Sequence, residues 1–398
     1  PLVSSTAEFC FLVSEADLEA IILGGNSIVS EGVAVDLDGS GSIDPDADPD
    51  YEWEYYWLCE DKTAVDAGAS DTSCYLEDGS LLELSRTSQA KIEGLKLKGA
   101  PGPNGRTYEF ILEAKKGARR AETTTTVSVI AAAAGATGPP PVASIAPFPK
   151  NKVNAGEPAR IKGTVTSVAD ASTLKMKWSA TRAFVDPPGA DQSVDLAADG
   201  FTSSVSLTTE NLVLSPDVLE TGYLYKFRLD VEDGNGAAAA FIELEENTPP
   251  SDGTLLSVPD SGTAGDTFTI SAGAWIDTEE PLYYRFVYRV KGTEKWTQLK
   301  DFSPEAECQV SLPGGDEENG KVELAVEVRD SLGAVSAPKV IEVTSNWPST
   351  TDEASLKKAA DQGIDAAEED YNSGNYEEAL NKNRNTAGLF ENFKKQQS

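Results

Sequence analysis

From Leu282 to Val290 the chain alternates without a break. Leu282, Tyr284, Phe286, Tyr288 and Val290 fall on one side; Tyr283, Arg285, Val287 and Arg289 fall on the other. A period of two with large apolar residues on one side is a β-strand with one buried and one half-wet face. Pro281 precedes it, at a position where the missing N–H is tolerated. Such a strand must be covered by a second sheet, so it predicts the centre of a β-sandwich.

The same plan recurs twice upstream. Tyr51, Trp53, Tyr55, Trp57 and Cys59 alternate, and so do Leu174, Met176, Trp178 and Ala180. Each of the three aromatic strands is followed by a second alternating strand: Tyr108 to Ala114, Tyr225 to Val231, and Val322 to Val328. A turn and a closing strand come next each time. Short strands with dense turn signals predict a mainly β chain of three tandem Ig-like or fibronectin-III-like β-sandwiches, over 16–131, 142–246 and 247–345. Residues 132–141, rich in Ala, Gly and Pro, read as a linker, and 247–250 as a short hinge. Residues 1–15 read as the tail of a preceding domain or a leading strand. Trp57 and Trp178 are the expected inter-sheet tryptophans, and Tyr225 the expected tyrosine corner. Trp275, Tyr284 and Phe286 complete the predicted core.

From Thr351 the period changes to that of a helix. Leu356, Ala359, Ala360, Ile364 and Ala367 make one stripe, and Tyr376, Leu380, Ala387, Leu389, Phe390 and Phe393 fall in a second helix. Residues 351–396 therefore predict a C-terminal helical hairpin. The run YNSGNYEEAL resembles half of a tetratricopeptide repeat.

Composition narrows the functions. Asp and Glu number 66 against 33 Lys and Arg, a net charge of −33. Nucleic acid and anionic lipid would be repelled, so neither is expected as a partner. There is no histidine. The usual general base and the commonest metal ligand are therefore missing. No catalytic residue is assigned, and the chain is read as a non-enzyme. No apolar run reaches the length of a membrane span. With one methionine, Met176, and Pro1 at its start, the chain reads as a piece of a longer protein.

Cys59 and Cys74 flank a polar loop behind an aromatic strand. A disulfide between them would stabilise by about 3 kcal/mol. Cys10 and Cys308 lie far apart in sequence, and the four cysteines lack the paired spacing of a zinc site.

The densest turn signal is DLDGSGSIDPDADPD, from Asp36 to Asp50. Its oxygens at Asp36, Asp38, Ser40 and Asp44, with Gly41 between, follow the spacing of an EF-hand loop, but Ala47 stands where the bidentate glutamate would be. Two readings follow: a turn whose Asp and Ser side chains cap backbone N–H groups, and a weak calcium site on Asp36, Asp38, Asp44 and Asp46. No other cofactor is expected. Alternating carboxylates in a turn, rather than a cleft, do not make a glycosidase pair.

GGNSIVSEGVAVDLDGSGSIDPD followed by YEWEYYWLC resembles the opening of a receptor-for-egg-jelly (REJ) module, itself akin to a PKD-type Ig-like domain. LETGYLYKFRLDVEDGNG, ENTPPSDGTLLSVPDSGTAGDTFTISAGAWIDTEEPLYYRFVY, QLKDF, SLPGG and LAVEVRDSLGAVS resemble its later segments, in the same order. The resemblance covers residues 16 to 345. It departs in its sparse cysteines and in the appended hairpin, which resembles the start of a GAIN-like helical region. It implies a non-enzymatic, extracellular, cell-surface module of a large polycystin-like receptor, often on cilia or flagella. There it would act as spacer, interaction surface and force transmitter. The partners implied are other domains of its own parent chain and a polycystin-type channel or extracellular glycoproteins. Two alternatives stand beside it: a subunit of an extracellular fibre, and an accessory carbohydrate-binding part of a secreted enzyme with Tyr55, Tyr56 or Tyr283 as the exposed aromatics. A tight interface between the second and third sandwiches would make those two behave as one block.

Overall fold

The computed structural model describes residues 16–47, 49–84, 87–102, 104–169, 173–198, 200–202, 206–347 and 353–397. The chain is mainly β and ends in two helices, Glu353–Asn372 and Tyr376–Gln397. It divides into two compact units, Pro1–Glu246 and Asn247–Ser398.

In the first unit the two upstream sandwiches share a sheet. One sheet of nine strands runs, among the described residues, in the order Gln192–Val194, Lys175–Phe184, Tyr223–Asp233, Gly236–Asn247, Ser27–Ser30, Arg119–Ile130, Arg106–Lys116, Trp53–Asp61, with Lys152–Asn154 paired to the Gly236–Asn247 strand. The joint is the four-residue strand Ser27–Ser30. It runs parallel to Arg119–Ile130, with Ile28 opposite Ser128 and Val29 opposite Val129, and antiparallel to Gly236–Asn247, with Ile28 opposite Ala239. All four of its residues are buried. Two further bonds close the joint: Phe241 N–H donates to the Asn26 carbonyl (2.9 Å), and Ser30 Oγ donates to the Ala237 carbonyl (3.0 Å). A shared strand removes two exposed sheet edges at once. Gly24 and Gly25 bring the chain into this position. A Cβ on Gly25 would lie 1.7 Å from Thr125 Oγ1, and Gly24 has φ +91° with its Cβ position 2.0 Å from the Asp36 carbonyl.

Each upstream sandwich keeps its own core. In the first, Leu37, Trp57, Tyr108, Phe110 and Leu112 are enclosed with the two-stranded sheet Val35–Asp38 and Lys91–Leu95 opposite. In the second, Ile161, Trp178, Tyr225, Phe227 and Leu229 are enclosed with the sheet Asn211–Leu214, Ala159–Thr166, Val142–Ile145 opposite. The two tryptophans do the same job. Trp57 Nε1 donates to the Gln89 carbonyl and Trp178 Nε1 to the Thr209 carbonyl, both at 2.8 Å. A buried indole N–H needs such a partner. Tyr225 is a tyrosine corner: its hydroxyl accepts from the Glu220 N–H and from Arg182, each at 3.1 Å. Tyr108 closes the first sandwich similarly, donating to the Lys98 carbonyl at 2.8 Å. The residues Ala20–Leu23 make an isolated bridge, Leu23 to Asp38.

The second unit is a sandwich with a helical hairpin against it. Its sheets are Thr254–Val258, Thr267–Gly273, Glu307–Ser311, and Ser261–Thr263, Lys339–Asn346, Lys321–Arg329, Tyr283–Val290, Thr297–Ser303. The alternating stretch is its next-to-edge strand. Phe286 and Tyr288 are buried between the sheets with Phe268, Leu312 and Val326. Trp275 and Tyr284, predicted as core, pack against this cluster but are only partly buried. Asp330 organises the turn after Lys321–Arg329. Its Oδ1 accepts from the N–H groups of Leu332, Gly333 and Ala334, and its Oδ2 from Asn247 Nδ2 at 2.6 Å. Asp233 does the same for Asn235 and Gly236 in the second sandwich. Asn247, at the start of the expected hinge, is fully buried.

The hairpin packs its second helix on the strands Thr297–Ser303 and Glu307–Ser311, which are the edges of the two sheets on that side. Close approach of the helices is set by small residues: a Cβ on Gly363 would lie 2.2 Å from Thr386 Oγ1. The predicted stripes are only partly the buried ones. Leu356, Ala360 and Ala367 are buried, whereas Ile364, Leu380 and Phe390 are exposed and Asn381, Asn385 and Thr386 face inward. The sandwich edge presents backbone groups, and Asn385 meets one of them, donating to the Ser311 carbonyl at 2.9 Å, while Thr386 donates to the Lys382 carbonyl of its own helix.

Candidate functional site

The Asp-rich turn is held by protein cations and backbone donors. Asp44, whose side chain is 3% exposed, receives Lys116 Nζ at 2.8 Å and a two-pronged Arg119 contact at 2.7 and 3.1 Å. Arg119 also reaches Asp46 at 3.0 Å, and the Ala16 N–H donates to Asp46 at 2.8 Å. Asp38 lies apart, bonded to Lys91 (2.7 Å) and capping Ser40. Desolvation works against it, but Lys91 and Ser40 hold the Asp38 carboxyl below its ordinary range. Asp36 accepts from the Gly94 N–H at 2.7 Å. The four carboxylates of the calcium reading are thus not brought to one point. Among the described residues no three Asp, Glu or Cys side chains converge so as to hold a metal ion. The residues that determine this, Lys116 and Arg119, come from a hairpin remote in sequence.

Cys59 and Cys74 form the expected disulfide, with Cα atoms 6.1 Å apart. It ties the edge strand Trp53–Asp61 to the loop that covers it; Gln89 N–H donates to the Tyr55 carbonyl in the same loop region. Cys308 is a free, buried thiol, and burial pushes its pKa up to about 12. Cys10 lies outside the described residues.

The proposed carbohydrate-facing tyrosines do not form a row. Tyr55 is buried against Trp53, and Tyr56 donates to Glu54 while Lys115 sits over its ring. Tyr283 belongs to another array, on the outer face of the second unit's larger sheet. There Arg285 pairs with Glu327 and lies over Phe302; Arg289 pairs with Glu323 and lies over Trp296. Arg329 lies over both Tyr283 (5.6 Å) and Phe302 (4.4 Å). The strand register sets these rows: Arg285 is opposite Glu327, Arg289 opposite Glu323 and Tyr283 opposite Arg329. Guanidiniums paired with carboxylates and lying over aromatic rings make this a partly polar surface. The alternating arginines were visible in the sequence, but their partners Phe302, on the neighbouring strand, and Trp296, just before it, were not.

A family model described as REJ domain matches residues 1–381. The chain belongs to the REJ domain family. The match covers all three sandwiches of this REJ domain and runs into the second hairpin helix. No curated protein matches the chain. Several solved structures are similar to it. Domains A168–A170 of titin are 12% identical over 83% of this chain and 97% of that one, with a TM-score of 0.30. The chicken CNTN1 FN1–FN3 domains are 12% identical over 83% and 97%, TM-score 0.27. The three N-terminal domains of the bacteriophage RB49 outer capsid protein Hoc are 11% identical over 82% and 95%, TM-score 0.27. These likenesses are too low to bear on function.

Proposed function

We propose that this REJ domain is a non-enzymatic extracellular module of a large polycystin-like cell-surface receptor on a cilium or flagellum. It would act there as spacer, force transmitter and interaction surface. The observation that carries this reading is the REJ match over residues 1–381. The Cys59–Cys74 disulfide supports an oxidising, extracellular setting. No helix among the described residues is long and apolar enough to cross a membrane. The outer face of paired arginines and aromatics around Arg285, Arg289 and Arg329 supports a contact role.

Cross-linking mass spectrometry on intact cell-surface or ciliary material tests the reading. Links to a polycystin-type channel, or to membrane spans of the parent chain, are expected. Links confined to copies of the chain or to fibre glycoproteins would replace it with a subunit of an extracellular fibre.

A further inference from the structure

The Glu307–Ser311 strand is the outermost of its three-stranded sheet, so one row of its backbone groups points away from its partner. Which residues form that row can be read from their partners. Ser311 N–H donates to Glu378 Oε1 (3.2 Å), and the Ser311 carbonyl accepts from Asn385 Nδ2 (2.9 Å). Both backbone groups of Ser311 are therefore turned outward. Antiparallel pairing alternates, so Gln309 and Glu307 are turned outward too. Their register agrees: Ser311, Gln309 and Glu307 lie opposite Thr267, Thr269 and Ser271. The Glu307 carbonyl is taken by Lys300 Nζ at 3.4 Å. Between these two covered positions stands Gln309, an exposed residue whose backbone hydrogen-bonds to no other element among the described residues.

Gln309 lies in a cleft of about 630 Å³ between this strand and the turn of the hairpin. Its lysines are already in ion pairs, Lys382 with Asp370 (2.5 Å) and Lys300 with Glu305 (3.2 Å). Glu307 and Glu377 line the same cleft and, among the described residues, are bonded to neutral groups, Ser271 and Gln298. The rim is therefore net acidic.

We infer that this cleft receives an extended, basic peptide segment of a partner protein, which adds as a short strand at Gln309. Main-chain pairing to an exposed edge gives affinity, and the side chains that meet Glu307 and Glu377 give the charge preference. The helix already imitates such a strand at Ser311, using Glu378 and Asn385 in place of backbone groups. The inference holds whichever parent chain carries the domain.

The test uses the full chain and a terminally blocked hexapeptide of alternating lysine and valine, followed by fluorescence anisotropy. Two further peptides carry N-methyl groups on either the valines or the lysines, which removes one row of N–H donors each. Saturable binding is expected, with one methylation pattern weakening it about tenfold or more. A glutamate–valine peptide should not bind. Gln309→Pro removes the outward N–H at an edge position that tolerates proline, and should weaken binding similarly. If that variant fails to fold, the methylated peptides still decide. Absence of binding at millimolar peptide, indifference to both methylation patterns, or equal binding of the acidic peptide would each overturn the proposal.

Discussion

Two side chains show how far a residue's role depends on what faces it. Asp44 reads in sequence as a calcium ligand and folds as the acceptor of Lys116 and Arg119. Removing one partner of a buried ion pair leaves the others uncompensated. Asp44→Ala should therefore cost about 3–5 kcal/mol in urea unfolding. Asp36→Ala, which removes a single bond to an exposed N–H, should cost about 1 kcal/mol. Equal, small losses would mean the turn is not held by this network. Cys308 gives the second case. A thiol whose pKa is pushed up to about 12 by burial is protonated and inert at neutral pH. Iodoacetamide at pH 7.5, with peptide mapping, should leave Cys308 unmodified in the native chain and alkylate it in denaturant.

At the scale of elements, turns and edges matter more than strand propensity. The turn after Lys321–Arg329 rests on Asp330, which ties three consecutive N–H groups and Asn247. Asp330→Ala should lower the stability of the second unit by about 3 kcal/mol, read from the denaturation midpoint of a 247–398 fragment. The hairpin's contact with the Glu307–Ser311 strand should respond to pH. Burial pushes the Glu378 carboxyl above its ordinary range, against the lowering effect of the Ser311 N–H. Its ionised form is thus disfavoured in the docked state. The contribution of this group is complete at pH below the ordinary glutamate range and is lost as pH rises through its raised value. Stability of the 247–398 fragment should decline over that window, and Glu378→Gln should flatten the decline. A decline unchanged by the substitution would place its origin elsewhere.

For the molecule as a whole, the shared strand decides what unfolds with what. The compact division places the first and second sandwiches in one unit. Ser27–Ser30 is laid between Arg119–Ile130 and Gly236–Asn247, so losing either sandwich exposes an edge of the other. A 16–246 fragment should melt in one calorimetric transition whose van't Hoff and calorimetric enthalpies agree. Two resolved transitions would show that the joint does not couple the sandwiches.

The sequence alone determined the cores of the two upstream sandwiches and the presence of the helical end. Period-two runs such as Tyr108–Ala114 and Tyr225–Val231 fix which side chains turn inward, because alternate residues of a strand must point to opposite faces. It also located the Cys59–Cys74 disulfide and the Tyr225 corner, since both depend on near neighbours in the chain. Tertiary structure decided the rest. Lys116 and Arg119 take the Asp44 carboxylate across more than 70 residues. Ser27–Ser30, too short to carry a periodic signal, joins two sheets because both have an open edge beside it. Asn385 of the last helix turns inward because it meets the Ser311 carbonyl of a strand edge, and no local pattern states what a helix will face.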